Sequence, residues 1–446
     1  MPSSKLCAFL LAAVLACAGS ASAQQKSLES AQPAIITAQQ FDQLISQLKA
    51  HEERIKELEA ELAKKTTPAN PEEAVSPAPS EMAHADTAAI TAPAPAQPQE
   101  PGDAHDHMVQ LPGGGPVLRI RGFADFNFGL GTDSNALIFP LGAPTHTTFS
   151  FGEFDLFLSS KLSRQINFVS EVIIGSDPSN VWGLDIERLQ VTYKPSPYFE
   201  ISGGRYHTSI GYYNTTFHHG TWFQTATGRP FMVFFEDSGG LLPVHGVGVT
   251  TTGLVPRTGR LNLHWIAEVS NGRSSDPNAQ PAQNFLSDKN HKAFNLAAFV
   301  KPEWLPGLQV GGSYYRDRLV PAGMPDVNQS IGSFYAVYNN SNWESLNEIV
   351  LLADHADHST RTFHAPLSYT QLSRKFGFYR PYYRFQYVNV AAGDPIAIFT
   401  GRYESHSVGL RMDFTDYVAL KIQYNRLYQG IVKPENGLDM QMAFTF

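Results

Sequence analysis

The chain has 446 residues, of which 17% are charged and 12% aromatic, with 33 Lys+Arg against 41 Asp+Glu. That is long for one ordinary domain, poor in charge and rich in rings. Beyond the first 23 residues no apolar run approaches the ~20 residues of a membrane-crossing helix, and no basic tract offers a surface for nucleic acid.

The first 23 residues read as a secretory signal. Lys5 supplies the positive end, residues 6–18 the apolar stretch, and Ala21-Ser22-Ala23 the cleavage site. Cleavage there removes both cysteines, Cys7 and Cys17, so no structural disulfide is expected. The alternative is lipoprotein processing at Val14-Leu15-Ala16-Cys17, with Cys17 acylated.

After a short lead (24–37), residues 38–65 carry a heptad seam. Phe41, Leu44, Leu48, His51, Ile55, Leu58 and Leu62 alternate spacings of three and four. The seam predicts a short coiled coil that partner chains stabilise, since a helix of this length is marginal alone. Packing on the chain's own body is the alternative. Residues 66–116 are rich in Pro, Ala and Glu, which predicts a linker. His84, His105 and His107 lie in this flexible stretch and are not expected to hold a metal. Residues 24–109 hold 6 basic and 14 acidic residues, against 26 and 27 in residues 110–446. The acidity therefore belongs to the arm, which could reach peptidoglycan.

From Leu118 onward, period-two alternation recurs between turn signals. Leu118, Ile120, Ala124, Phe126 and Phe128 share one face, opposite Arg119, Arg121 and Asp125. Gly122 stands on the apolar face, where a bend is tolerated. Residues 261–270, 408–414, 418–425 and 438–446 alternate as clearly. Eleven weaker segments lie between 148 and 390. The pattern predicts an all-β transmembrane barrel of about sixteen antiparallel strands (14–18), spanning 117–446, with the strand from Leu118 meeting the last strand. Long connections are expected at 130–147, 207–244, 271–290, 317–330 and 391–401. Such a barrel has lipid as its outer partner and a wet interior.

Leu189-Gln190-Val191-Thr192-Tyr193-Lys194-Pro195, Phe199-Glu200-Ile201 and Gly204-Arg205-Tyr206 resemble the strand–turn–strand signature of the phosphate-selective porin O and P family. Residues 409–414 and 419–424 resemble its closing hairpin. The resemblance implies a homotrimeric, sixteen-stranded outer-membrane channel with a periplasmic arm, inserted by the barrel assembly machinery. It also implies wall arginines and a lysine cluster at the constriction. Here the inward candidates are Arg119, Arg121, Arg316, Arg380, Arg384, Arg411 and Lys421. No matching lysine cluster is present, and Asp125, Asp155, Glu171, Glu268 and Asp413 interleave with them.

The expected function is passive diffusion of small hydrophilic solutes or ions, with no catalytic residue, cofactor or metal. An envelope tether and a rim-sited barrel enzyme are the alternatives. The segment 207–244 is the expected constriction, with Arg229, Glu236 and Asp237 as charged candidates and arginines across the bore setting a transverse field. Asp354-His355-Ala356-Asp357-His358 reads as a polar turn. Phe446 is expected to serve as an assembly signal.

Overall fold

A computed structural model describes residues 107–110, 115–131, 147–176, 181–217, 220–236, 239–275, 284–397, 401–430 and 433–446. The signal, the lead, the heptad seam and most of the linker lie outside the described residues.

A short strand, β1 (His107–Gln110), lies within the stretch read as linker. It is followed by β2 (Val117–Gly131), β3 (Thr148–Lys161), β4 (Ile166–Ser176), β5 (Trp182–Ser196) and β6 (Phe199–His207). Then come β7 (His245–Leu254), β8 (Leu263–Ser270), β9 (Ala293–Val300), β10 (Leu308–Leu319), β11 (Val327–Asn339) and β12 (Trp343–Ala356). The series ends with β13 (Phe363–Arg374), β14 (Tyr379–Val390), β15 (Gly401–Asp413), β16 (Val418–Gln429) and β17 (Glu435–Thr445). Strands β2–β17 form a closed antiparallel barrel of 16 strands. β1 extends the edge of β2 at Val117–Ile120, clear of the stretch that β17 occupies.

Closure leaves no free edge. β17 pairs with β2 from Thr445↔Phe123 to Gly437↔Gly131. Gly122 and Phe446 complete the seam with reciprocal N–H···O bonds of 2.8 and 2.9 Å. Gly122 does more than permit a bend: a Cβ there would stand 2.3 Å from the Phe446 ring, so the glycine makes room for that ring.

Alternation sets the two faces. Phe126, Leu184, Leu296, Phe334, Ile349 and Val408 point outward and are exposed, whereas Asp125, Glu268, Glu348, Arg384, Lys421 and Asp439 point inward and are buried. Among the described residues no helix is long and apolar enough to cross a membrane. Connections at one end of the barrel are short, such as 162–165, 197–198 and 340–342, and the other end carries the segment 208–244.

Two expectations are corrected. The expected long loop 317–330 is half strand, because β10 runs on to Leu319 and β11 begins at Val327, which leaves only 320–326 as the connection. Arg318 binds Asp326 at 3.0 Å and also reaches Asp357, so a polar run that reads as loop is held in the sheet by ion pairs. Arg316 is on the outer face, not in the bore, since its neighbour Tyr315 points inward and is 1% exposed.

The interior is not uniformly polar. Ile331, Val337, Leu346, Val350, Leu367 and Val388 point into the bore and pack against Ile210, Tyr213, Phe217, Met232 and Leu242 of the segment 208–244. A hydrophobic core thus sits inside the barrel, on the β11–β14 side.

Candidate functional site, a loop folded into the bore

The segment 208–244 leaves β6, crosses the interior and returns to β7. Its two ends are tied together at the base. Thr208 N–H donates to Val244 O at 2.9 Å, and Asn214 Nδ2 donates to Thr208 O and Val244 O, each at 2.9 Å.

Beyond the base, wall carboxylates accept from the loop's N–H groups. Glu268 of β8 accepts from Ser209 N at 3.1 Å and from its Oγ at 2.8 Å. Glu348 of β12 accepts from Tyr212 N at 2.7 Å and Tyr213 N at 2.8 Å, where a single helical turn, α1 (Tyr213–Thr216), begins. Those N–H groups have no partner within the turn, so the carboxylate supplies one. Tyr369 Oη donates to the same carboxylate at 2.6 Å. Gly211 makes this approach possible. Its φ is +80°, and a Cβ would lie 2.3 Å from Glu348 Oε2.

At the far tip the polarity reverses, and wall cations donate to the loop's carbonyls. Arg411 Nη1 donates to Trp222 O at 2.6 Å and Gln224 O at 3.0 Å. Lys421 Nζ donates to Thr221 O at 2.5 Å, Ala226 O at 3.4 Å and Gln441 Oε1 at 2.8 Å. Arg384 Nη1 donates to Gly228 O at 3.0 Å. Thr227 is held from both sides, its N–H by Gln423 at 3.2 Å and its hydroxyl by Asp439 at 3.3 Å. A buried carbonyl left without a donor costs about 1–3 kcal/mol, so these cations are what makes burying the tip tolerable.

Arg229 braces the loop from within. It donates to Val233 O at 2.8 Å, Phe217 O at 3.3 Å and Asn214 Oδ1 at 3.3 Å, and its guanidinium lies 4.1 Å from the centre of the Phe235 ring. Burial pulls its pKa below the ordinary arginine value, against the charges of Tyr213 and nearby carboxylates. On the neighbouring loop Lys289 is likewise lowered by burial, with Asp317 at 2.7 Å holding its charge in place. Two small clefts remain beside the inner loop. One is lined by Gly228, Arg229, Phe234, Gln386 and Asn425, the other by Leu241, Arg273, Asp354 and Asp394.

The residues singled out in the sequence fall into two groups. Arg229, Glu236, Glu268, Arg384, Arg411 and Lys421 are buried in or against the loop, and Lys421 is 0% exposed. Asp125, also buried, accepts from Asn127 at 2.6 Å and Gln441 at 3.2 Å. Arg119 is exposed, and Arg121, Arg380 and Asp413 are half-buried, all near the short-turn end. Arg380 donates to Ser373 at 3.3 Å, and Asp413 pairs with Arg411 at 2.7 Å. Glu236 does not face the wall arginines. It holds His245, accepting from its N–H at 2.9 Å and lying 3.0 Å from Nδ1. Asp237, His218 and His219 lie outside the described residues. Asp357 pairs with Arg318, and His358 sits at φ +65° in a turn, so the Asp354–His358 cluster does not converge on one point. Phe446 packs near Phe154, ring centres 5.7 Å apart.

Sequence reasoning missed Glu344, Glu348, Gln386, Gln423 and Asp439 as anchors of the loop. Parity already places Glu344 and Glu348 on one face of β12. Glu348 takes backbone N–H groups of the loop and Glu344 the Thr225 hydroxyl at 3.0 Å, partners more than a hundred positions away that no local pattern marks.

No family model and no curated protein matches the chain. Solved structures do match in fold. An anion-selective porin from Comamonas acidovorans aligns with a TM-score of 0.53 at 11% identity, covering 74% of this chain and 100% of that one. The outer membrane channel DcaP of Acinetobacter baumannii aligns at 0.52 and 10% identity, covering 74% and 98%. OmpF of Salmonella typhi, in complex with daunomycin, aligns at 0.52 and 12% identity with the same coverage. The chain has the fold of these 16-strand outer-membrane barrels.

Proposed function

We propose that the protein is an outer-membrane porin, a water-filled channel through which small hydrophilic solutes or ions diffuse passively. The carrying observation is the ordered loop 208–244 across the bore of a closed barrel with an apolar outer face. A tether would need no constriction. Solutes pass beside the loop on the β2–β8 side, where Gln190, Thr192, Lys194, Thr250 and Thr252 are half-buried polar residues. Charge selection falls to Arg119, Arg121, Arg380 and Asp413 at the short-turn mouth, which keep solvent exposure while Arg384, Arg411 and Lys421 are buried against the loop. Three copies assemble in the outer membrane. The arm extends into the periplasm and its coiled coil reaches peptidoglycan, while the barrel assembly machinery recognises the strand ending in Phe446.

Planar-bilayer recording tests the pore: stepwise conductance supports it, and protein that inserts without opening favours the tether. The reversal potential in a salt gradient tests the narrower reading of a phosphate-selective porin, which requires strong anion preference. Deleting residues 38–65 tests the arm, and an unchanged trimer would remove assembly from its roles.

A further inference from the structure

The two ends of the inner loop meet at a second cluster that solute passage does not use. His207 ends β6 and His245 opens β7, and the two are direct cross-strand partners with ring centres 5.1 Å apart. Glu187 of β5 reaches the same spot. One donor atom from each of the three lies within 4.8 Å of the others, and all three residues are buried. The geometry points to a binding site for a divalent transition-metal ion of the zinc type, ligated by Glu187, His207 and His245, with Glu236 orienting His245.

The donor set decides the class of ion. Two imidazoles and a carboxylate suit zinc, nickel, cobalt or copper(II), whereas calcium and magnesium take all-oxygen shells. Zinc bonds of ~2.0–2.2 Å bring such ligand atoms to roughly 3.3 Å from one another, a spacing that small side-chain rotations reach from this arrangement. Glu236 Oε2 lies 3.0 Å from His245 Nδ1, which leaves Nε2 to face the ion. A carboxylate behind a histidine in this way fixes the ring and raises its basicity as a ligand.

Nε2 lies 2.6 Å from Glu187 Oε2. A nitrogen that ligates a metal carries no proton, so binding at Nε2 sends any proton there to solvent, while Nδ1 stays against Glu236. Arg205 Nη2, 3.1 Å from Glu187 Oε2, competes for that oxygen. That competition makes the site weaker than one whose carboxylate has no cation beside it. Because His207 and His245 bracket the loop, a bound ion would clamp its two ends together at the base.

The test uses the full chain, purified in detergent and stripped with EDTA, with zinc chloride alone as the probe in calorimetry and equilibrium dialysis. The expected result is a zinc site in each chain that weakens about tenfold or more in both His207→Ala and Glu187→Gln. The site should persist in a His105→Ala/His107→Ala variant, which removes the histidine pair of the arm. Cobalt(II) should give the intense visible absorption of a four-coordinate site in the wild type, and lose it in Glu187→Gln. Mobility on unheated gels reports whether each variant is folded, and the wild-type cobalt spectrum stands even if His207→Ala is not. Absence of zinc binding, or binding that survives both substitutions and vanishes with the arm histidines, overturns the proposal. None of these readouts depends on conductance, so the site stands or falls apart from the channel.

Discussion

The two sides of the barrel treat their inward side chains differently. On β12 and β14–β17, charged and amide groups meet the inner loop: Glu348 holds N–H groups near its start, and Arg384, Arg411 and Lys421 hold carbonyls at its tip. On β2 and β5, Arg119, Arg121, Gln190 and Thr192 keep solvent exposure. The contrast teaches that an inward charge is not by itself a selectivity element. Wherever a folded segment brings its own peptide groups, a wall charge serves as their partner before it serves any solute.

That contrast can be broken most severely at the tip. Replacing Arg411 and Lys421 together by alanine strips donors from the carbonyls of Thr221, Trp222, Gln224 and Ala226, at about 1–3 kcal/mol for each left unmet. The tip should come free, and single-channel conductance should rise about twofold or more with added noise. An unchanged conductance would show that the tip does not narrow the bore. Glu348→Ala should come next, lowering stability to denaturant by about 3 kcal/mol through loss of charge-assisted bonds to Tyr212, Tyr213 and Tyr369. Glu348→Gln, which keeps one acceptor, should recover part of it.

Smaller and more selective is the effect on ion preference. Arg119→Gln with Arg121→Gln should shift the permeability ratio toward cations by about twofold at unchanged stability, and Arg384→Gln should shift it less. If Arg384→Gln moves the reversal potential more, the division between exposed and buried cations is wrong. Least of all, Gly122→Ala should cost about 1 kcal/mol in thermal unfolding, because the Phe446 ring must move aside. The ring is 43% exposed and has room to do so.

The sequence made the barrel legible where its two faces differ. In β17, Leu438, Met440 and Met442 alternate with Asp439 and Gln441 as a simple outside–inside code, and the closing pair β2–β17 follows from it. In β12 the code fades: Leu346 and Val350 point inward while Ile349 and Leu351 point outward, so both faces are apolar. The cause is the inner loop, which brings a hydrophobic surface into the bore and asks the wall for one in return. Within the site, parity exposed inward charges such as Arg384, Arg411 and Lys421, and composition marked 207–244 as a segment packed inside the barrel. The pairing of Lys421 with Thr221, 200 positions apart, was not legible, because one partner is a backbone carbonyl.

That separation also orders events in time. The inner loop is complete by residue 244, yet many of its anchors lie on β12 and β14–β17, from Glu344 to Asp439. Until those strands arrive, the carbonyls of Trp222, Gln224, Ala226 and Gly228 lack their wall donors, and the apolar side chains of 210–233 have only part of their wall. The loop therefore docks late, after long-range pairing that is intrinsically slow. A barrel halted before β14 would hold an exposed sticky segment, so the interval before closure is when this chain most needs an escort.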